Sequence, residues 1–341
     1  MSIDTIWFTR CPVPTATGLA YQLGWLQDEF ARDGIALRTL QETGGELARH
    51  HYDHNLETLI REGGNLLALP ARAQGADTRL IGLTWIDEWQ SILVRPGSGI
   101  RHPADLEGKR LPLPVFRRAD IEENRRGRSI ARGMSLAGYH GALASAGLGL
   151  ADVILEEVGS PDQTPGYNLW QGIAALVRGN VDAVYVKGAA AVEAARAAGV
   201  EVGIDLDALP EKRFRVNNGT PRPITVHRAF LERHYALVVR FLAQTLRAAE
   251  WARRHHDEVL AVLQAETQAG PDAVRTAYRE GFHAALAPDL SEERVALFEQ
   301  QKNFQLAHGF LDRDVDVRAW ADHGPLADAQ ALLAGGEALA A

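Results

Sequence analysis

Three clusters in the first 64 residues have the composition of a site that acts on a small anion. Cys11, the single cysteine of the 341-residue chain, stands in Trp7-Phe8-Thr9-Arg10-Cys11-Pro12-Val13-Pro14-Thr15. His51 lies in the run His50-His51-Tyr52-Asp53-His54, and Arg61 opens Arg61-Glu62-Gly63-Gly64. A thiol serves as an acid or, once ionised, as a nucleophile. An imidazole takes or returns a proton near neutral pH. A guanidinium grips two oxygens of one oxyanion at once, and a glycine turn can aim backbone N–H groups at a third position. Each cluster also has a plainer structural reading. A free cysteine is among the most buried residue types. The histidine run would be a solvated loop, Arg61 would complement a helix dipole, and Gly63-Gly64 would be a helix stop. A zinc site from His50, His51 and His54 fits no established ligand spacing, and no cysteine stands near.

The elements around these residues bear on the choice. Ile3 to Phe8 has the apolar, β-branched character of a buried strand, and Pro12 and Pro14 forbid a longer ladder. From Thr15 or Thr17 onward, Leu19, Leu23, Leu26 and Phe30 recur at helical spacing, with threonine at either candidate N-cap. Cys11 is therefore expected where a strand's carboxyl end meets a helix's amino end. Ligands bind at that edge of open α/β sheets, and a helix N-terminus lowers a thiol's pKa.

Further along, residues 35–40 alternate as a half-buried strand. Residues 46–61 carry Leu47, Leu56, Leu59 and Ile60 at near-helical spacing, which puts Arg61 at a helix end. Residues 65–70 read as a buried strand, as do 79–86 and 91–94. The middle of the chain predicts helices over 128–146, 170–178 and 189–198 between strands over 153–158, 181–186 and 200–206. That alternation implies a largely parallel sheet. Residues 216–226 look like a return crossing. Helices follow over 230–268, with Phe241, Leu242, Leu246 and Trp251 as core candidates, then from Pro271, from Ser291, and after Pro325.

Hydrophobic residues make up 46% and charged residues 23% of the chain, a soluble globular balance with room for two cores. A formal net charge of −8 argues against a nucleic-acid partner. No apolar run is long enough to span a bilayer, and the first residues lack a basic-then-apolar leader. The expectation is a cytoplasmic monomer without membrane or nucleic-acid partners. Only four of the 36 basic residues are lysine (Lys109, Lys187, Lys212, Lys302), so anion contacts should come mainly from arginine forks.

Two resemblances add to this reading. Asp105-Leu106-Glu107-Gly108-Lys109-Arg110 is similar to a segment of type II periplasmic-binding-protein folds that precedes the crossing between lobes. Cys11-Pro12-Val13-Pro14 after a short strand, His51, and Arg61-x-Gly63-Gly64 ten residues beyond that histidine resemble the 2′-hydroxybiphenyl-2-sulfinate desulfinases of dibenzothiophene desulfurisation. The similarity continues through Arg79–Thr84, Gly179–Tyr185, Trp251-Ala252-Arg253 and the Phe304 helix, and so covers most of the chain.

The resemblance implies an α/β, two-lobed type II periplasmic-binding-protein-like fold, with mixed sheets flanked by helices and an interlobe cleft. Lobe 1 would comprise residues 1–113 plus about 215–341, and lobe 2 about 114–214. It implies a cysteine-dependent hydrolase that cleaves the C–S bond of an organic sulfinate and releases sulfite, with no metal or organic cofactor. Cys11 would be the essential group and His51 its assistant, with Arg61 and Gly64 holding the sulfinate and Gly63 and Tyr52 beside them. The other reading of this fold is a non-catalytic solute-binding protein for sulfonate, nitrate or taurine. A relative of thiamine-precursor synthases would need a cysteine-rich signature that is missing here. The chain departs from the desulfinase pattern at Tyr52, which replaces an apolar aromatic. It departs also at Phe116-Arg117-Arg118-Ala119-Asp120 with Arg125, Arg126 and Arg128, and at Val186-Lys187-Gly188, where a tryptophan-containing apolar stretch is replaced. These changes bear on the organic part of the substrate, and one or two of the arginines are candidates to meet a second polar or anionic group.

Overall fold

A computed structural model of the chain describes residues 3–9, 13–162 and 171–340, with the side chains of 171 and 336–340 left out. Cys11 lies outside the described residues. The first four strands are β1 (Thr5–Phe8), β2 (Ala36–Thr39), β3 (Leu59–Glu62) and β4 (Thr78–Thr84). There follow β5 (Gln90–Val94), β6 (Arg110–Pro114), β7 (Ile154–Val158), β8 (Ala183–Lys187), β9 (Glu201–Asp205) and β10 (Arg222–His227). The largest sheet has the order β2-β1-β3-β10-β4. Within it β1 runs parallel to β2 and β3, while β10 is antiparallel to β3 and β4. All four residues of β3 are buried, because it lies in the middle of the sheet.

Helices cover this sheet: α1 (Ala16–Gln22), α2 (Trp25–Ala31), α3 (Glu46–Asp53) and α4 (Asn65–Ala73) in the first part of the chain. Thr15 caps α1, its hydroxyl accepting from the Gly18 N–H at 2.9 Å. The middle of the chain contributes α5 (Arg118–Glu122), α6 (Ile130–Ser145), α7 (Gln171–Val177) and α8 (Ala189–Ala198). After β10 come α9 (Arg228–Arg233), α10 (Tyr235–Ala252), α11 (His256–Thr267), α12 (Pro271–Ala277), α13 (Glu292–Ala307), α14 (Val317–Trp320) and α15 (Gly324–Ala340). Phe241 and Leu242 of α10 are fully buried, while Leu246 and Trp251 pack at the margin of the same core. No described helix is long and apolar enough to cross a membrane. A separate core gathers around β5, β6 and α6, where Tyr139 and Tyr185 meet edge to face.

Three local expectations are corrected. The helix expected over 46–61 stops at Asp53, where His54 turns into the left-handed region (φ 56°) and closes the helix through its N–H on the His50 carbonyl. Arg61 therefore projects from a central strand. Residues 65–70 form part of α4, not a strand. Eight of its nine residues are buried, so the run is apolar on every side and its periodicity carries no signal. The middle strands do not form one largely parallel sheet: β5 inserts between β8 and β9, antiparallel to both, and β6 and β7 form a separate parallel pair. Alternation along the chain cannot reveal a strand that arrives from an earlier segment.

Candidate active site

Arg61 and Glu62 occupy the last two positions of β3, and their side chains point to opposite faces of the sheet. The Arg61 guanidinium folds back over Gly63: a Cβ there would lie 2.6–2.7 Å from Cζ and both terminal nitrogens. Those two nitrogens stand 3.5 Å from the Gly64 carbonyl oxygen, at the long edge of hydrogen bonding. Gly64 is the N-cap residue of α4. The Asn218 carbonyl accepts the Asn65 N–H at 2.7 Å, and the Asn218 side-chain oxygen accepts the Leu66 N–H at 2.9 Å. The Gly64 N–H forms no hydrogen bond among the described residues. A Cβ at Gly64 would collide with the Asn218 carboxamide, so only glycine permits this approach.

His51 stands in the last turn of α3 with its Nδ1 buried and unpartnered among the described residues. Burial and the Arg61 charge together hold its pKa down to about 3, so the ring is neutral near pH 7. His54, fully buried, is pushed well below its ordinary value by burial, with Arg61 and His51 adding to the effect. His50 instead pairs with Asp53 at 2.8 Å. Tyr52 packs its ring edge to face on His51, with the Arg128 guanidinium 4.7 Å over its own ring.

One cavity of ≈ 390 Å³ collects His51, Tyr52, Arg61 and Gly64. Gly63 does not line it; it supports the guanidinium from behind. Val13 reaches the same cavity. Thr9 donates its hydroxyl to the Glu62 carbonyl at 2.7 Å. Glu62 is fully buried, which raises its pKa, while hydroxyls of Thr17, Thr84 and Thr15 favour the charged form. The segments on either side of Cys11 are thus tied to β3.

The same cavity is lined by Glu88, Lys187, Asn218, Gly219 and Arg222, with Ile130, Met134, Ala189 and Ala190 as apolar lining. None of these was singled out as a binding residue by sequence reasoning. The only signals were the lysine and glycine at the end of β8 and the Asn-Asn-Gly turn before β10. The basic stretch behind Phe116 is engaged elsewhere. Arg117 pairs with Asp120 and Arg118 with Asp162, while Arg125 and Arg128 approach Glu123. Arg125 and Arg128 line a neighbouring pocket of ≈ 220 Å³ instead.

The neutral histidines make stability depend on acidity. Between pH 6.5 and about 3 the unfolded His51 binds a proton that the folded one refuses, so stability is full above pH 6.5 and falls as pH drops. The slope is at most about 1.4 kcal/mol per pH unit for this group, and His54 adds in the same direction. Thermal melts from about pH 7 to pH 4 check this. A flat Tm over that range would remove the neutral-imidazole assignment.

The three sheets, the return through β10 and the cavity lined from β3, β8 and β10 define a two-lobed fold of the type II periplasmic-binding-protein kind. Solved structures agree. A cysteine-to-serine mutant of DszB in complex with biphenyl-2-sulfinic acid aligns with a TM-score of 0.72 at 24% identity, covering 97% of this chain and 100% of that one. The periplasmic aliphatic sulphonate binding protein SsuA from Escherichia coli aligns with a TM-score of 0.66 at 19% identity, covering 94% of this chain and 93% of that one. In sequence, the chain is 28% identical over 356 aligned positions to 2′-hydroxybiphenyl-2-sulfinate desulfinase of Rhodococcus erythropolis, covering 93% of this chain and 91% of the relative. The same figures hold for the desulfinase of Rhodococcus qingshengii. No protein-family model matches the chain.

Proposed function

We propose that the protein is a desulfinase-type hydrolase that cleaves the carbon–sulfur bond of an aryl or related organic sulfinate and releases sulfite. The observation that carries this reading is the meeting of His51, Arg61 and Gly64 in one cavity, in a chain similar to a sulfinate desulfinase along 93% of its length. Arg61 and the open Gly64 N–H would hold the sulfinate oxygens, and neutral His51 would relay the proton of Cys11. The overall reaction adds water: R–SO2⁻ + H2O gives R–H and HSO3⁻. In one route the thiol protonates the sulfur-bearing carbon, and the C–S electron pair forms the new C–H bond. Sulfur departs as SO2, water converts it to bisulfite, and the proton released restores the thiol. In the other, the thiolate attacks sulfur, the carbon takes a proton, and water resolves the S-sulfinated cysteine to thiol and bisulfite. The same reading divides the chain near residues 114 and 214, with the cavity between lobes.

A sulfite-release screen over aryl and alkyl sulfinates tests the proposal. Release from at least one is expected. The binding-protein neighbours favour a second reading, capture of a sulfonate without chemistry. Thermal stabilisation by sulfonates with no turnover of any sulfinate would decide for it. Gly63→Ala provides a sharper check, because its methyl would displace the guanidinium. A shift of that size is expected to lower kcat/KM by about 10- to 100-fold, with the Tm little changed. Unaltered kinetics would show that the position of Arg61 over Gly63 does not matter.

A further inference from the structure

The cavity that Arg61 lines carries more positive charge than one sulfinate can answer. The described groups lining the cavity include three cations, Arg61, Lys187 and Arg222, against one carboxylate, Glu88. Lys187 is only 7% exposed and stands 3.6 Å from Glu88, which also accepts the Tyr278 hydroxyl at 2.8 Å. Arg222, likewise 7% exposed, has no such partner. Its side chain makes no hydrogen bond or ion pair among the described residues, and its Nε is buried and unsatisfied. Glu62, on the neighbouring strand, accepts the Thr84 hydroxyl at 2.9 Å, and the Arg222 charge favours its ionised form.

The two cations converge. A Cβ on Gly219 would lie 2.9 Å from an Arg222 terminal nitrogen and 3.7 Å from the Lys187 ammonium, so both heads flank one glycine at the cavity wall. A buried guanidinium without a counter-charge is costly, and such a group at a cavity surface is best explained by an anion that arrives with the ligand. Aliphatic side chains such as Ile130, Met134 and Leu67 line the same cavity. That lining suits an apolar body that bears two anionic groups.

We propose that the ligand of this site is a dianion, an organic sulfinate that also bears a carboxylate, with Arg222 and Lys187 gripping the carboxylate. The inference rests on the desulfinase reading for the sulfinate end, but the carboxylate end can be tested without turnover. Calorimetric titration of the full chain with benzenesulfonate and with ring-carboxylated sulfobenzoates gives a ratio of affinities. The carboxylated ligand giving the tightest binding is expected to exceed benzenesulfonate by about tenfold or more. That ratio is expected to fall at least about fivefold in Arg222→Gln or in Lys187→Gln, whichever variants fold. A ratio near one in the unaltered protein, or a preference that survives in the folded variants, overturns the proposal. Failure of every sulfinate to release sulfite would end the desulfinase reading while leaving this ratio, and the second anion site, standing.

Discussion

Cys11→Ser is expected to reduce sulfite release from an aryl sulfinate by about a thousandfold or more, with sulfonate-induced thermal stabilisation retained. A serine hydroxyl is a far weaker acid and a far weaker nucleophile than a thiol at neutral pH, so either route loses its first step. His51 would be of no help, since an imidazole held near a pKa of 3 is a poor base for a hydroxyl. The two routes separate on the unaltered protein. Protonation at carbon predicts a sizeable solvent deuterium effect on kcat and no covalent species. Attack on sulfur predicts a quenched protein heavier by one SO2 on the Cys11 peptide. A serine variant that retains turnover within a few-fold would remove Cys11 from the chemistry.

Arg61→Ala is expected to lower kcat/KM by about 100- to 1,000-fold, or about 3–4 kcal/mol of transition-state stabilisation. Arg61 is 1% exposed and its guanidinium lies over Gly63, so it meets an oxyanion with little reorganisation. Lysine at this position recovers only part of the loss, because an ammonium cannot fork onto two oxygens. The variant carries a second readout that a merely structural role would not move. The Arg61 charge lowers the pKa of both His51 and His54, so both should rise in Arg61→Ala, visible by NMR titration of the imidazoles. Unchanged kinetics together with unchanged histidine titrations would separate Arg61 from the site.

Much of the local structure was legible in the chain before folding. The strand ending at Phe8, the threonine-capped helix from Ala16 and the strands around residues 80 and 92 follow from alternation, proline placement and caps. These are local rules acting over a few residues. The cluster of Arg61 with Gly63-Gly64 was equally visible, because a guanidinium can lie against a backbone only where no Cβ intervenes. The element beneath it was misread as a helix end. A short apolar run such as Leu59-Ile60 has no period of its own, and only the neighbours β1 and β10 make it a strand. The reading of residues 65–70 failed for the same reason, since α4 is buried on every side.

By itself, then, the sequence determined which groups are available for chemistry and the local elements that carry them: one thiol, a histidine run, an arginine beside paired glycines. Tertiary structure alone decided which cations share a cavity with His51 and Arg61. The arginines behind Phe116 stood out by number, yet carboxylates within a few residues or in the facing loop hold Arg117 and Arg118. Lys187 and Arg222, 35 positions apart in the chain, come to one glycine because β8 and β10 deliver their ends to the same cavity. Charge acts through space, and burial removes the water that would otherwise screen it. Neither distance nor burial is written in a residue's neighbours along the chain.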